Sequence, residues 1–182
     1  QMNNDYDVTV SFLKIDERAI IPKYAHDGDA CMDLSVIIDD KDMKPFVLSG
    51  DVQSSENNVP VAVHTMGDLS YVNIEPGQAL VFHTGLKCST PAGYAMEVHV
   101  RSSVGIKKKL RLSNCTGIID TAQYRGELLI SLHNDSSKTQ KVFHRDRVAQ
   151  AEIVPVLKVS VEEVTSLSDT ERGTGGVGST GR

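Results

Sequence analysis

The sequence has few cysteines, and those few form no recognisable pattern. There are three among 182 residues, Cys31, Cys88 and Cys115, and no two of them make a Cys-x-x-Cys pair. The odd number disfavours a disulfide framework, and the missing pair disfavours a structural zinc site. We therefore expect a reducing, cytoplasmic setting.

Long apolar runs and an excess of positive charge are also missing. No apolar stretch approaches the roughly 20 residues that a membrane-spanning helix needs, so we expect no membrane partner. The formal net charge at pH 7 is −5, which disfavours a general binder of nucleic acid or of anionic membrane surfaces. A bound polyanion would need cationic side chains gathered locally.

The sequence does contain a regular succession of short alternating segments. Apolar residues alternate with polar ones at Val8, Val10 and Phe12, and again at Met96 and Val98. Turn signals recur about every ten residues, which is typical of a sandwich, jelly roll or barrel rather than of alternating strands and helices. The chain is also long enough for one domain with a full core. We therefore predict a single all-β domain.

The segment 113–134 has the pattern of a β-hairpin. It reads SNCTGIIDTAQYRGELLISLHN, with a turn after Asp120 and alternating apolar residues in its second half, at Leu128, Ile130 and Leu132. Asp120 faces Tyr124 across the turn, where a carboxylate can hold a water against a molecule docked in the hairpin's mouth. The alternative is an ordinary hairpin with no chemical role.

A second segment with possible chemistry begins at Arg101, Ser102 and Ser103. It looks helical, with serines at the cap position, so its free N–H groups and the forked guanidinium of Arg101 would face an anion. The alternative is a capped turn followed by a solvated face of lysines.

The glycine-rich tail is a third such segment. Gly173, Gly175 and Gly178 match the spacing of a dinucleotide-binding loop, but no helix follows them, and Ser179 stands where a P-loop has lysine. The tail is either a free terminus or a flexible arm whose backbone N–H groups wrap a triphosphate.

Asp33 is a candidate for holding a metal through its hydration shell. It stands between Met32 and Leu34 in a predicted strand, so its side chain should point to the face opposite those apolar neighbours. The alternative is an aspartate that caps a turn.

Residues 39–70 are more polar than the rest of the chain. Val59, Val61 and Val63 alternate within this stretch and indicate a small hairpin of its own. We therefore expect a β domain over residues 1–168, with a polar insertion at about 39–70, and a flexible phosphate-binding arm over residues 169–182.

Five segments, in this order, resemble the five motifs of the trimeric dUTPase family, the deoxyuridine triphosphate nucleotidohydrolases. Each segment is weakly specific alone, but their order and the spacing from Arg101 to Asp120 make the resemblance highly specific. The segments are DACMDL from Asp29, RSS from Arg101, GIID through YRG from Gly117, DRVAQ from Asp146, and RGTGGVGSTG from Arg172.

The resemblance implies a homotrimer of jelly-roll-like β-subunits, with sites at subunit interfaces that are each built from more than one chain. It implies dUTP as the substrate and Mg²⁺ as the cofactor. Water would attack the α-phosphorus and release dUMP and pyrophosphate, and Asp120 would orient and deprotonate that water.

The same resemblance assigns the substrate-binding residues. Asn114, with the backbone around Gly117 and Ile119, would read the uracil edge, and Tyr124 would lie under the deoxyribose. Asp33 would touch the metal through water. The residues expected at the phosphates are Arg101, Ser102, Ser103 and Gln150, and those expected at the γ end are Arg172, Gly178, Ser179 and Thr180.

The sequence departs from the family pattern at several positions. Cys31 and Arg145 stand where the family usually has glycine, and Val177 stands where it usually has an aromatic residue. One additional residue separates Asp120 from Tyr124. Residues 39–70 exceed the family's usual connection and offer a surface for a protein partner.

Two other functions are considered. A dCTP deaminase resembles this family in its Arg-Ser-Ser segment, but it needs a carboxylate where Ser131 stands and an arginine where Ile106 stands. The other alternative is a β-trimer with a regulatory or structural binding role through residues 39–70.

Overall fold

The chain folds as an all-β protein with one short helix, as the sequence predicts. The computed structural model describes residues 8–48, 58–120 and 123–175. Within those ranges there are fourteen β-strands and one α-helix. No helix in the described ranges has the length and apolar character needed to cross a membrane. All three cysteines are free thiols.

The fourteen strands and the helix have the following bounds along the chain. The strands are β1 (Ser11–Lys14), β2 (Met32–Ser35), β3 (Phe46–Leu48), β4 (Asn58–Pro60), β5 (His64–Met66), β6 (Leu69–Ile74), β7 (Ala79–His83), β8 (Leu86–Ser89), β9 (Tyr94–Val100), β10 (Leu110–Leu112), β11 (Gly117–Ile119), β12 (Leu129–Asn134), β13 (Gln140–Phe143) and β14 (Arg147–Pro155), and the helix is α1 (Ser102–Lys108).

Two antiparallel sheets carry the candidate site. One has the order β10-β12-β7-β3-β4 and the other the order β11-β9-β14-β2. Their strands alternate as the sequence predicts: in β12, Ile130 and Leu132 are buried, whereas Leu129 and Ser131 are not. Buried residues from both sheets, such as Phe82 and Met96, belong to one hydrophobic cluster. This arrangement confirms the predicted jelly-roll-like class.

The polar stretch 39–70 is partly built into the main sheet. Its strand β3 pairs with β7 at Phe46 and Val81, and Phe46 is buried. Of the alternating valines that suggested a hairpin, Val59 lies in β4, which pairs with β3, whereas Val61 and Val63 lie in the connection between β4 and β5. Val61 and Val63 also pack against the core. The short apolar strand Phe46–Leu48 was not predicted, because charged residues around position 40 make the surrounding sequence polar.

The helix begins one residue away from the expected cap. Arg101 is the N-cap, and no side chain makes a capping hydrogen bond, so Ser102 and Ser103 are the first helical residues rather than caps. The cause is strand β9, which runs directly into the helix. The N–H of Arg101 donates to the carbonyl of Val148 at 3.2 Å and keeps that residue extended.

The last strand ends well before the predicted domain boundary at residue 168. β14 ends at Pro155, and the N–H of Val156 donates to the carbonyl of Gly93. Beyond it the chain has no regular structure up to residue 170, and its apolar side chains are exposed: 87% for Leu157, 77% for Val159 and 90% for Val161.

Two turn glycines allow a matched test of packing. Gly85 and Gly77 both have positive φ, 69° and 75°, but a Cβ at Gly85 would lie 2.6 Å from Ile37 Cδ1, whereas a Cβ at Gly77 would meet nothing within 4 Å. The free energy of unfolding of both alanine variants should fall by about 1–2 kcal/mol, because alanine is strained in a left-handed backbone. For Gly85→Ala the free energy of unfolding should fall by about 1–3 kcal/mol more, because the added methyl group overpacks the site. Urea unfolding of both variants measures the difference, and equal losses would contradict it.

Candidate active site

The two arms of the predicted hairpin do not pair with each other in the described part of the chain. β11 pairs with β9, and β12 pairs with β7 and β10, so the arms belong to different sheets. The simple hairpin prediction is therefore wrong in its pairing, because each arm finds a partner elsewhere. A cavity of about 450 Å³ opens between the arms.

The three residues expected to read a base all line this cavity: Asn114, Gly117 and Ile119. The backbone is close-packed here, since a Cβ at Gly117 would lie 3.2 Å from Val98 Cβ and 3.7 Å from Asn114 Nδ2. The other lining residues are mostly apolar, with one hydroxyl pair. They are Leu48, Val81, Val98, Leu112, Ser113, Ile118, Leu129, Ile130 and Ser131. Apolar walls with a few convergent polar groups suit a flat heterocycle.

Asp120 directly follows β11, next to Ile119, which lines this cavity. Its side chain is exposed, so its carboxylate is open to water. Its carbonyl accepts a hydrogen bond of 3.0 Å from the N–H of Tyr124, which closes the turn. Tyr124 in turn donates its hydroxyl to the carbonyl of Glu127 at 2.9 Å. The aspartate and the tyrosine are therefore held in one turn, as the sequence predicts.

The sequence did not reveal the residues that anchor this turn. Glu127 Oε2 lies 2.8 Å from His83 Nδ1, and Glu127 Oε1 accepts the N–H of Gly85 at 2.7 Å. These contacts tie the base of the turn to the connection between β7 and β8. The sequence shows a charged residue directly after Gly126, but it does not indicate that its partner lies 44 residues away.

A second group of predicted residues meets at the other end of β9. Asp33, Arg101 and Gln150 line a cavity of about 370 Å³. Asp33 and Gln150 are direct neighbours on β2 and β14. Asp33 Oδ1 lies 2.7 Å from Arg101 Nε, and Asp33 Oδ2 lies 2.8 Å from Arg147 NH1. Arg147, which the sequence analysis did not select, is thus part of the cluster.

Asp33 points away from its buried neighbours Met32 and Leu34, as predicted. Both of its oxygens are already paired with guanidinium groups, but each retains a lone pair. This donor set fits the hydration shell of a Mg²⁺ ion, which usually keeps several waters. It does not offer a vacant carboxylate for direct ligation.

A smaller cavity of about 280 Å³ borders the same cluster. Ser103 lines it together with four cationic residues, Arg101, Lys108, Arg145 and Arg147, and one acidic residue, Asp146. Arg145 has a φ of 68°, which is uncommon for a residue other than glycine. The cations needed to bind a polyanion in this acidic chain are therefore gathered around Arg101.

Cys31 lines the cavity beside Asp33 without adding charge to it. Burial raises the pKa of the Cys31 thiol, and the carboxylates of Glu152, Asp29 and Asp33 raise it further. The thiol stays protonated near neutral pH, so it does not oppose the binding of an anion.

A third cluster lies on the same face of this sheet. His99 Nε2 lies 3.2 Å from Glu152 Oε1 and 3.5 Å from Glu97 Oε2. The strand register pairs His99 with Gln150, and Glu97 with Glu152. Imidazole and carboxylate groups can bind a divalent cation. The sequence did not reveal this triad, because its members come from two strands.

The structure does not bring the two main groups of site residues together within one chain. Ile119 pairs with Met96, so Asp120 lies beside the first half of β9, whereas Arg101 follows the last residue of β9. Asp120 follows Ile119 and so lies level with the residue before Met96. The six residue steps from there to Arg101, at about 3.3 Å each, correspond to about 20 Å. We call the group around Asp120 the base half-site and the group around Arg101 the phosphate half-site.

The C-terminal candidates lie partly outside the described residues. Gly178, Ser179 and Thr180 fall there, as does Val177. Arg172 is described, and its Nε donates to the carbonyl of Gly175 at 2.9 Å within a local turn. Its expected place at the γ end of a triphosphate stays a prediction.

Comparison with known sequences places this chain among named relatives. A family model described as dUTPase matches residues 68–181. A deoxyuridine 5'-triphosphate nucleotidohydrolase from Alkaliphilus metalliredigens is 36% identical over 172 residues, which cover 94% of this chain and 96% of the relative. The enzyme of that name from Crocosphaera subtropica is 33% identical over 172 residues, covering 94% and 98%.

Solved structures agree in fold. A mutant dUTPase of Staphylococcus bacteriophage 80alpha with dUpNHpp superposes with a TM-score of 0.67 at 23% identity, over 96% of this chain and 99% of that one. A mutant dUTPase from phage phi11 of S. aureus, described with a structural Mg(II) ion, has a TM-score of 0.64 at 21% identity, over 88% and 99%. The sequence relatives and the matched model show that this chain belongs to the dUTPase family.

Proposed function

We propose that this protein hydrolyses dUTP to dUMP and pyrophosphate, and does so at sites shared between subunits of a homotrimer. The observation that carries the proposal is the pair of half-sites: a base cavity lined by Ile119, which Asp120 directly follows, and a cationic cluster around Arg101. The reaction removes dUTP from the precursors of DNA and supplies dUMP.

In this proposal the base half-site holds the uracil and the sugar. The amide of Asn114 and the backbone at Gly117 and Ile119 supply donors and acceptors to the base edge. Tyr124 lies under the deoxyribose, where its ring leaves no room for a 2′-hydroxyl. Asp120 accepts a proton from the water that attacks the α-phosphorus.

The phosphate half-site of a neighbouring subunit holds the triphosphate. Arg101, Ser102, Ser103 and Gln150 offer guanidinium, hydroxyl and amide donors to its oxygens. At the γ end, the proposed donors are the arm residues Arg172, Gly178, Ser179 and Thr180. Mg²⁺, when bound, neutralises phosphate charge and is contacted by Asp33 through water.

Two features of the chain support an assembly of copies. The half-sites lie about 20 Å apart along β9, whereas a general base must lie within hydrogen-bond reach of its water. In addition, Leu157, Val159 and Val161 are largely exposed on the irregular segment after β14. Such an alternating apolar surface suits contact with another subunit.

The two alternatives are less well supported. A deaminase needs an acid/base carboxylate at the position of Ser131, but the Ser131 hydroxyl lies 2.7 Å from that of Ser113 and lines the base cavity. A purely regulatory trimer would not need Asp120, Asp33 and the arginines to be arranged as they are.

The first test concerns the base. Asp120→Asn should lower the rate of pyrophosphate release about 100- to 10,000-fold while nucleotide binding is largely kept, because the amide cannot accept the proton. Asp68→Asn, at an exposed turn, serves as the control. A variant that keeps more than about a tenth of the parent rate would rule out Asp120 as the general base.

The second test concerns the shared site. Asp120→Asn and Arg101→Ala subunits, coexpressed with different affinity tags and purified as mixed trimers, should recover activity. With random mixing, an intact base half-site meets an intact phosphate half-site at about a quarter of the interfaces. Each variant mixed with itself is the control. No recovery beyond those controls would mean that both residues act within one chain.

The third test concerns the metal. Chelation with EDTA should stop turnover, and added Mg²⁺ should restore it, because the ion neutralises the triphosphate. Glu152→Gln should leave the Mg²⁺ concentration for half-maximal rate unchanged, since the ion is proposed to arrive with the substrate. A higher requirement in this variant would instead assign the functional ion to the triad of Glu97, His99 and Glu152.

A further inference from the structure

The cavity between β11 and β12 has a wall that comes from the polar stretch 39–70. Leu48, the last residue of β3, lines it together with residues of the dUTPase motifs. Its position follows from the sheet: Phe46 of β3 pairs with Val81 of β7, and Val81 pairs with Ser131 of β12. Because side chains alternate along a strand, Leu48 shares a face with these residues.

The rim of the cavity is unusually apolar for an exposed surface. Leu48 is 47% exposed, Ile118 63% and Leu129 46%. These three side chains line the cavity together with the buried Val81, and its polar side chains are those of Ser113, Asn114 and Ser131. A planar ring with polar edges would cover the aliphatic rim and still reach an amide and two hydroxyls.

We propose that Leu48 contacts the uracil ring of the bound nucleotide and is a base-binding residue supplied by the stretch 39–70. This inference rests on the proposed function and adds a residue to its base half-site. Leu48 acts on affinity and not on the chemical step, because its aliphatic side chain can neither donate nor accept a proton, whereas Asp120 takes the proton of the attacking water.

The test uses two identical substitutions at positions of nearly equal exposure. Leu48→Ala should raise both the KM for dUTP and the Kd for dUMP about three- to tenfold, because a half-exposed side chain contributes only part of its apolar area, with kcat within about twofold. Leu69, which is 49% exposed at the start of β6 and does not line the cavity, provides the control Leu69→Ala. The control should leave KM, Kd and kcat unchanged.

Two further measurements keep the result unambiguous. Leu48→Met, which retains an apolar side chain of similar volume, should keep values near those of the parent. Binding of dUMP by calorimetry isolates the base and sugar from the β- and γ-phosphates. If Leu48→Ala does not sediment like the parent protein, the test uses Leu48→Gln instead. Glutamine is polar and of similar length, and the same rise in KM and Kd is expected.

The outcomes separate this inference from the proposed function. If the parent protein hydrolyses dUTP and binds dUMP, but Leu48→Ala matches Leu69→Ala in KM and Kd, the role of Leu48 is overturned and the function stands. A parent protein that neither releases pyrophosphate from dUTP nor binds dUMP would overturn both.

Discussion

Strand β9 sets the geometry on which the candidate site depends. All seven of its residues pair with β14 on one side, and three of them, Met96 to Val98, pair with β11 on the other. A strand hydrogen-bonded on both edges cannot shorten or bend without breaking its ladders, so the distance between its ends is fixed. Asp120 and Arg101 lie near opposite ends, and no movement of one side chain closes a gap of about 20 Å. Within one chain the two half-sites therefore stay apart, which is the reason for proposing a site shared between subunits.

The same sheet explains how an acidic protein can hold a polyanion. The net charge of −5 is spread over the chain, whereas Arg101 and Arg147 converge on Asp33. Two guanidinium groups this close would repel each other without a carboxylate between them. Asp33 thus arranges the cations before any substrate or metal arrives. In the proposed site, its pairing with both arginines favours contact with a metal through water rather than directly.

Much of this site could be predicted from sequence because its signals are local. The turn at Asp120 and Tyr124, the serines after Arg101, and Asp33 between two apolar residues are all visible within a few positions. The contacts that hold them are not local. Glu127 meets His83 across 44 residues, and Arg147 meets Asp33 across 114. Strand partners are equally hidden, since alternation reveals a strand but not its neighbour. That is why β11 and β12 suggested a simple hairpin.

The stretch 39–70 shows how composition can mislead about structure. Its charges indicated a segment outside the core, yet Phe46 is buried and Leu48 borders the base cavity. Among the described residues, β3 pairs with β7 through Phe46 and Val81. Phe46 also packs against His83, with ring centroids 5.6 Å apart, and His83 contacts Glu127 at the turn of Asp120. The same attachment brings Leu48 to the wall of the cavity. In the proposed site, a change at this position alters the binding of the base without replacing any residue of the chemical step.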